Sequence, residues 1–336
     1  MDIKHLFLST TAALFALVLT ACGGGGGDGG TPPGISYTGL ITPAAITQSN
    51  ATRLAGGAYQ GRTTGNALGG VTASAQANEM NSLATRPDTL VLSETLRNAV
   101  AKIDVTALPK ADLGAAVKTE TISEQGSCGG NLSGNATYDE STGNITSGAI
   151  TFNNYCEEGV TLSGRITFSG KMNLGTQPPT IAKLDISFIS LSGKSGTDAF
   201  TVSGSIAIDV TVPLQVRTTI NMVSRDDTTG KVFKMENYQL LGSVNPDAWV
   251  DISMTGRFYD PDDGYVDLTT PMPFRFTINA TSVVAETPMQ GELVITGDKD
   301  TKARLVAMNT ADYNIDVDAD GNGIYESQTR GKWADL

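Results

Sequence analysis

A long run of alternating apolar and polar residues, from Gly126 to Trp333, constrains the fold of this chain more than any other feature. From Val160 to Phe168, apolar side chains at 160, 162, 166 and 168 alternate with polar ones. Successive side chains of a β-strand point to opposite faces, so this period of two predicts a strand with one apolar face. The same pattern returns from Phe200 to Val212, from Val250 to Phe258 and from Phe274 to Ile278. It indicates a mainly β chain whose sheet is covered on one side.

Turn residues separate these segments, for example at Arg225–Lys231, Asp260–Gly264, Asp298–Lys302 and Asp320–Gly323. We count about a dozen strands, many of them longer than the usual five or six residues. The predicted architecture is a long antiparallel meander, curled into a half-barrel or barrel, with one or two helices packed on it. A β-sandwich is the alternative, although the spacing of the turns exceeds that of a compact sandwich.

The segment 35–125 precedes this β domain, which we place at 126–336, and it mixes short elements of both kinds. Ile35–Thr42 is typical of a strand, and Thr47 begins a short helix that ends near Gly61. A longer helix is predicted at 88–104, where apolar residues recur every three or four positions. We expect this helix to lie on the apolar face of the sheet; a helix facing a partner or a membrane is the alternative.

The first residues read as an export signal. Lys4 and His5 precede an apolar stretch from Leu6 to Leu19, which is too short to span a membrane, and the sequence then reads Thr20-Ala21-Cys22. Leu-Thr-Ala-Cys resembles the lipobox of bacterial lipoproteins. The resemblance implies that residues 1–21 are a signal peptide, that the chain is cleaved before Cys22, and that Cys22 carries the lipid. An ordinary cleaved signal with an incidental cysteine is the alternative.

Residues 22–34 are rich in glycine and predict a flexible tether between the membrane and the body. Several acyl chains on one residue suffice for stable anchoring. Gly23 after the cysteine resembles lipoproteins of the outer membrane, which implies a protein facing the periplasm or the cell surface. The following residues, with Tyr37-Thr-Gly and Pro43-Ala-Ala-Ile-Thr, look like the start of uncharacterised bacterial lipoproteins with β-rich bodies.

Two further cysteines, Cys128 and Cys156, remain if Cys22 carries lipid. An even pair in an oxidising compartment predicts a disulfide rather than two free thiols.

Composition excludes several functions. The formal net charge is −12 and no basic stripe is present, which argues against nucleic acid as a partner. The single histidine is His5, inside the predicted signal, so the mature chain would lack the usual general base and most zinc sites. A carboxylate-based glycan hydrolase needs only two acidic residues and stays as a lesser alternative.

One acidic stretch predicts a metal site. Its candidate calcium ligands are Asp316, Asp318, Asp320, Asn322 and Glu326. The spacing Asp-x-Asp-x-Asp-Gly resembles EF-hand and related calcium loops, which supply oxygen ligands. The stretch departs from that pattern because Ser327 stands at the twelfth position and no helix signature follows. A plain hairpin turn with solvated acids is the alternative. The acidic turn at Asp260–Gly264 is a poorer candidate.

Two functions fit these features best. The first is a lipid-anchored, non-catalytic structural or binding module with a partner in the cell envelope. The second is a carrier that holds a lipid or another apolar ligand against its apolar face. Gly164, Gly204, Gly256 and Ala280 would leave room for a cavity on that face. Phenylalanines in the same strands would fill it: Phe168, Phe200, Phe258, Phe274 and Phe276.

Overall fold

The structure is a computed structural model that describes residues 34–61, 117–157, 159–175, 180–196, 198–245, 249–278, 285 and 287–336. The chain divides into two compact units, Met1–Pro32 and Pro33–Leu336, and everything described belongs to the second. The predicted signal, Cys22, nearly all of the tether, the 88–104 helix and Ala280 lie outside the described residues. Among those that are described, no helix has the length and apolarity needed to cross a membrane.

Within the described residues, fourteen strands form one sheet. They are β1 Val117–Gln125, β2 Gly129–Asp139, β3 Asn144–Glu157, β4 Val160–Asn173, β5 Thr180–Ser195, β6 Asp198–Asp209, β7 Gln215–Asp226, β8 Val232–Asn245, β9 Trp249–Asp260, β10 Gly264–Thr277, β11 Gln290–Thr296, β12 Lys302–Ala307, β13 Asp312–Asp318 and β14 Ser327–Lys332. The sheet therefore includes β1, which precedes the boundary predicted at 126.

Each strand pairs antiparallel with the next one along the chain, so the strand order is the sequence order. The predicted meander is confirmed. Among the described strands β1 pairs only with β2 and β14 only with β13, so the sheet curls without closing into a barrel. Successive connections alternate between the two ends of the sheet. We call the end with the β1–β2 and β13–β14 connections the disulfide end, and the other the opposite end.

The two faces of the sheet follow the alternation in the sequence. Val160, Leu162, Ile166 and Phe168 on β4 are all buried, whereas Arg165 between them is exposed. Buried residues of this kind continue from β1 to β13 as one apolar cluster, which forms the core. Strand periodicity therefore predicts the inner face well.

Val212 is an exception to the predicted pattern. The sequence placed it on the apolar face with Val202 and Ile206, but β6 ends at Asp209 and 52% of the Val212 surface is exposed. The alternation of apolar and polar residues continues in the sequence beyond Asp209. The chain turns there, so alternate side chains no longer point to opposite faces of a sheet.

A line of backbone irregularities bends the sheet. Asn154, Ser190 and Asn237 have φ angles of 49°, 52° and 47°, and each lies where the pairing register shifts by a bulge. On neighbouring strands, Gly204 has φ 135° and Gly256 has φ 113°. Bulges and glycine kinks bend a strand and increase its twist. These positions account for the curl of the sheet.

Residues 34–46 do not form the strand predicted at Ile35–Thr42. The stretch instead makes single contacts, such as the Ile35 N–H donating to Ser203 Oγ (3.1 Å). Only Pro43 makes a bridge, to Tyr265 on β10. The prediction was wrong because β9 and β10, beside which this stretch runs, already pair on both sides and offer no edge.

Helix α1, residues 51–61, confirms the short helix predicted after Thr47. The Ala51 N–H donates to the Thr47 carbonyl oxygen (3.0 Å), which begins the first turn. Leu54 and Ala58 are completely buried, and the Tyr238 hydroxyl donates to the Ala58 carbonyl oxygen (2.8 Å). The helix therefore packs its apolar side against the inner face of the C-terminal strands.

The ring of Tyr59 extends this packing along α1. Its centroid lies 5.0 Å from that of Phe274 on β10 and 5.2 Å from that of Trp333 after β14. Aromatic pairs at such distances add to the free energy gained from burial alone. The helix thus packs against both β10 and the segment that follows β14.

Tyr37 makes the stability of this fold sensitive to alkaline pH. Its hydroxyl donates to the Asp260 carbonyl oxygen (2.9 Å). Burial, followed by the negative charge of Asp260, raises the pKa of Tyr37 to about 12 from the ordinary value of 10.0. The folded pKa is the higher one, so the protonated phenol contributes stability that is complete below pH 10 and lost as pH rises toward 12.

We therefore expect the free energy of unfolding to fall across this window, and Tyr37→Phe to remove part of that fall. Urea unfolding of both proteins, near pH 9 and near pH 12, measures the difference. Parallel pH profiles of the two proteins would show that Tyr37 does not contribute.

Candidate functional sites

The acidic β13–β14 connection brings together three of the five predicted calcium ligands. One carboxylate oxygen each from Asp318, Asp320 and Glu326 lies within 4.8 Å of the others. Asp318 is completely buried, whereas Asp320 and Glu326 are exposed. Calcium takes six to eight oxygen ligands, so three carboxylates make up only part of a coordination shell.

The Asp318 carboxylate is engaged by the backbone of its own turn. Oδ1 accepts hydrogen bonds from the N–H groups of Gly321 (2.8 Å) and Asn322 (3.1 Å), and Oδ2 accepts one from the Gly323 N–H (2.9 Å). These bonds satisfy a buried charge without an ion. The arrangement favours a turn organised by Asp318.

The two remaining predicted ligands serve other purposes. Asp316 lies directly across the sheet from Arg304 and Gln328, and it accepts hydrogen bonds from both (2.7 and 2.6 Å). Asn322 donates to Asp320 (3.0 Å), and its Oδ1 accepts from the Ile324 N–H (2.7 Å). The sequence spacing grouped Asp316 with the loop, but the strand register assigns it to a cross-strand network.

Removal of the Asp318 carboxylate tests the turn. We expect Asp318→Ala to lower the free energy of unfolding by about 2 kcal/mol, because three N–H groups lose a charged acceptor. Asp320→Ala, the matched control in the same loop, should change it by less than about 0.5 kcal/mol. We also expect no change in melting temperature between EDTA and millimolar calcium. A calcium-dependent rise in the wild type that both variants lose would make this loop a metal site instead.

The predicted disulfide is present. Cys128 in the β1–β2 connection and Cys156 near the end of β3 are bonded, with their Cα atoms 5.1 Å apart. The Cys128 N–H also donates to the Cys156 carbonyl oxygen (3.2 Å). The bridge fastens the first two strands to the third.

The glycines predicted to leave a cavity have a different role. A Cβ at Gly204 would lie 2.1 Å from the Asn221 carbonyl oxygen, and one at Gly256 would lie 2.2 Å from the Asn237 carbonyl oxygen. Both contacts are with backbone, and both φ angles are positive. These glycines allow close approach of neighbouring strands at the bend, so the space that a side chain would take is already filled.

Aromatic side chains fill the inner face instead. Phe168 and Phe258 are 4% and 5% exposed, and Phe274 and Phe276 are completely buried. Phe200 is partly buried and packs against the same core. A packed core leaves few voids larger than a water molecule. The phenylalanines that the sequence predicted to fill the apolar face therefore do so.

A small cleft lies beside α1. Its volume is about 290 Å³, and its lining includes Gly56, Gly57, Phe233, Phe258 and Leu336. The two phenylalanine rings stack with centroids 6.2 Å apart. Ligand pockets usually measure about 300–1,000 Å³, so this cleft lies at the lower limit of that range.

The rim of this cleft carries a charged network that the sequence did not reveal. Arg53 of α1 bonds to both Asp260 and Asp263 of the acidic β9–β10 turn. Asp260 is only 2% exposed, and it also accepts the N–H groups of Asp262 (2.9 Å) and Asp263 (3.2 Å). Burial lowers the pKa of Arg53, but its bonds to these two carboxylates outweigh that effect and raise it. The turn therefore anchors the helix.

Comparisons with protein-family models, with curated proteins and with solved structures gave no match to this chain.

Proposed function

We propose that the chain is a lipid-anchored protein of the cell envelope whose β body is a non-catalytic structural or binding module. The packed inner face favours such a module over a lipid carrier, because four phenylalanines occupy the space that a ligand would need. These are Phe168, Phe258, Phe274 and Phe276. The glycines that seemed to offer room lie at the bends. The polar outer face and the turns remain available for a partner.

The anchor rests on the sequence. Leu-Thr-Ala-Cys22 follows an apolar stretch of signal length, and a glycine-rich tether follows Cys22. We propose acylation of Cys22 and residence at the outer membrane, with the body facing the periplasm or the cell surface. The oxidising compartment that this location implies agrees with the Cys128–Cys156 bridge.

Fatty-acid labelling tests the anchor. The full chain and its Cys22→Ser variant would be expressed in a bacterium supplied with an alkyne fatty acid, and the membrane fraction would be probed for the label. We expect label and membrane retention for the wild type and the loss of both for the variant. Equal labelling of the two proteins, or a mature N-terminus other than Cys22, would contradict the proposal.

A further inference from the structure

The two ends of the sheet differ in charge. Acidic residues fill the connections at the disulfide end, namely Asp227, Asp262, Asp263, Asp298, Asp300, Asp320 and Glu326. At the opposite end, Glu140 is the one acidic residue among the described connecting residues, and Asp139, Asp209 and Asp312 stand at the adjoining strand ends. The sequence also places Asp247 and Glu286 in connections of this end, outside the described residues. The described connections of the disulfide end therefore repel anionic partners more strongly than those of the opposite end.

The opposite end also exposes apolar side chains. Val212 and Leu214 in the β6–β7 connection are 52% and 57% exposed. Met289 before β11 and Met308 after β12 are 44% and 50% exposed. Apolar side chains are exposed at the disulfide end too, Ile324 among them, but there they stand among the acidic turns. Among the described connections, those at the opposite end combine exposed apolar side chains with fewer acidic residues than those at the disulfide end.

The β6–β7 turn holds its apolar side chains outward in a fixed form. Asp209 Oδ1 accepts hydrogen bonds from the N–H and hydroxyl of Thr211 (2.9 and 2.5 Å), and the Leu214 carbonyl oxygen accepts the Val244 N–H (2.8 Å). Leu214 has φ 60°, in the left-handed region that residues other than glycine rarely adopt. Backbone strain is often found at functional sites, so the strained and exposed Leu214 suggests a function for this turn.

We propose that this end of the sheet, led by Val212 and Leu214, rests on the surface of the lipid bilayer. The inference builds on the proposed anchor at Cys22 and gives the body an orientation. Apolar side chains gain free energy at the boundary between headgroups and acyl chains. Anionic lipids would repel the acidic turns of the disulfide end, so that end points away from the membrane.

The reach of the tether permits this orientation. The described chain begins at Gly34, beside Ser203 on β6. Residues 22–33 reach about 40 Å when extended, and the chain from Ser203 to Val212 covers about 30 Å. The anchor can therefore lie in the same bilayer that the β6–β7 turn touches.

Depth-dependent quenching tests the contact. Cys22 would be acylated and Cys128 and Cys156 are bonded, so an introduced cysteine is the one free thiol of the full chain. Val212→Cys would carry an environment-sensitive fluorophore, with Ile324→Cys at the disulfide end as the matched control. Both lipidated proteins would be reconstituted in vesicles of phosphatidylethanolamine and phosphatidylglycerol.

At position 212 we expect a blue-shifted emission, quenching by a lipid-borne quencher, and a several-fold lower quenching constant for iodide than at 324. Equal access of iodide to both positions would overturn the proposal. Protection from iodide at 212 without lipid-borne quenching would also overturn it, since a second copy or another protein would then cover the turn.

The mass of the N-terminal peptide shows independently whether Cys22 is acylated. If Cys22 is not acylated, flotation of the full chain with the same vesicles decides the matter. The proposal requires flotation of the wild type that is lost in the Val212→Ser/Leu214→Ser double variant. Flotation that the double variant keeps, or no flotation of either protein, would refute it.

Discussion

Replacement of Gly204 by alanine is expected to lower the free energy of unfolding by about 3–5 kcal/mol. The new Cβ would lie 2.1 Å from the Asn221 carbonyl oxygen and 2.7 Å from the Met222 Cα, both backbone atoms of β7. The φ of Gly204, 135°, is also one that residues with a side chain rarely adopt. The bend would have to open, which would disturb the pairing of β6 with β7.

Gly242→Ala on β8 is the matched control. The nearest atom to its Cβ would be the Val216 carbonyl oxygen at 3.7 Å, an ordinary contact, and its φ is not in the strained range. We expect a change of less than about 1 kcal/mol there. Urea unfolding followed by circular dichroism measures both variants. A similar loss for both would mean that Gly204 matters only as a strand glycine and does not bend the sheet.

Loss of the disulfide is expected to cost about 3–4 kcal/mol, because its removal frees a loop between residues separated by 28 positions. The double variant Cys128→Ser/Cys156→Ser should therefore unfold at lower urea than the wild type. A reducing agent should bring the wild type down to the same midpoint and leave the double variant unchanged. Full reduction of the wild type, verified by thiol titration, without any shift in midpoint would contradict this account.

Sequence periodicity predicted the meander because each strand has one buried and one polar face. It did not predict the bends. Gly164, Gly204 and Gly256 follow the alternation as small residues on the apolar face, and the sequence does not separate a glycine that leaves room from one that needs a positive φ. Only the pairing register, with bulges at Asn154, Ser190 and Asn237, distinguishes the two.

The candidate sites show a similar division. Close spacing in the sequence identified Asp318, Asp320 and Glu326 because they share one turn. Asp316 was grouped with them, but the residues facing it across β12 and β14 are known only from the register. Arg53 and Asp260 are 207 positions apart, so their pairing was not visible in the sequence. Local motifs can be predicted, whereas contacts between distant segments depend on the assembled sheet.

The intact mass of the full chain, extracted from bacterial membranes in mild detergent, tests the central proposal most directly. We expect a chain that begins at Cys22 and carries acyl groups. The mass should also be lower by the two hydrogens lost in the Cys128–Cys156 bridge, and no further lipid should dissociate on denaturation. An unmodified Cys22 would contradict the anchor, and a lipid that dissociates on denaturation would contradict the packed, non-carrier body.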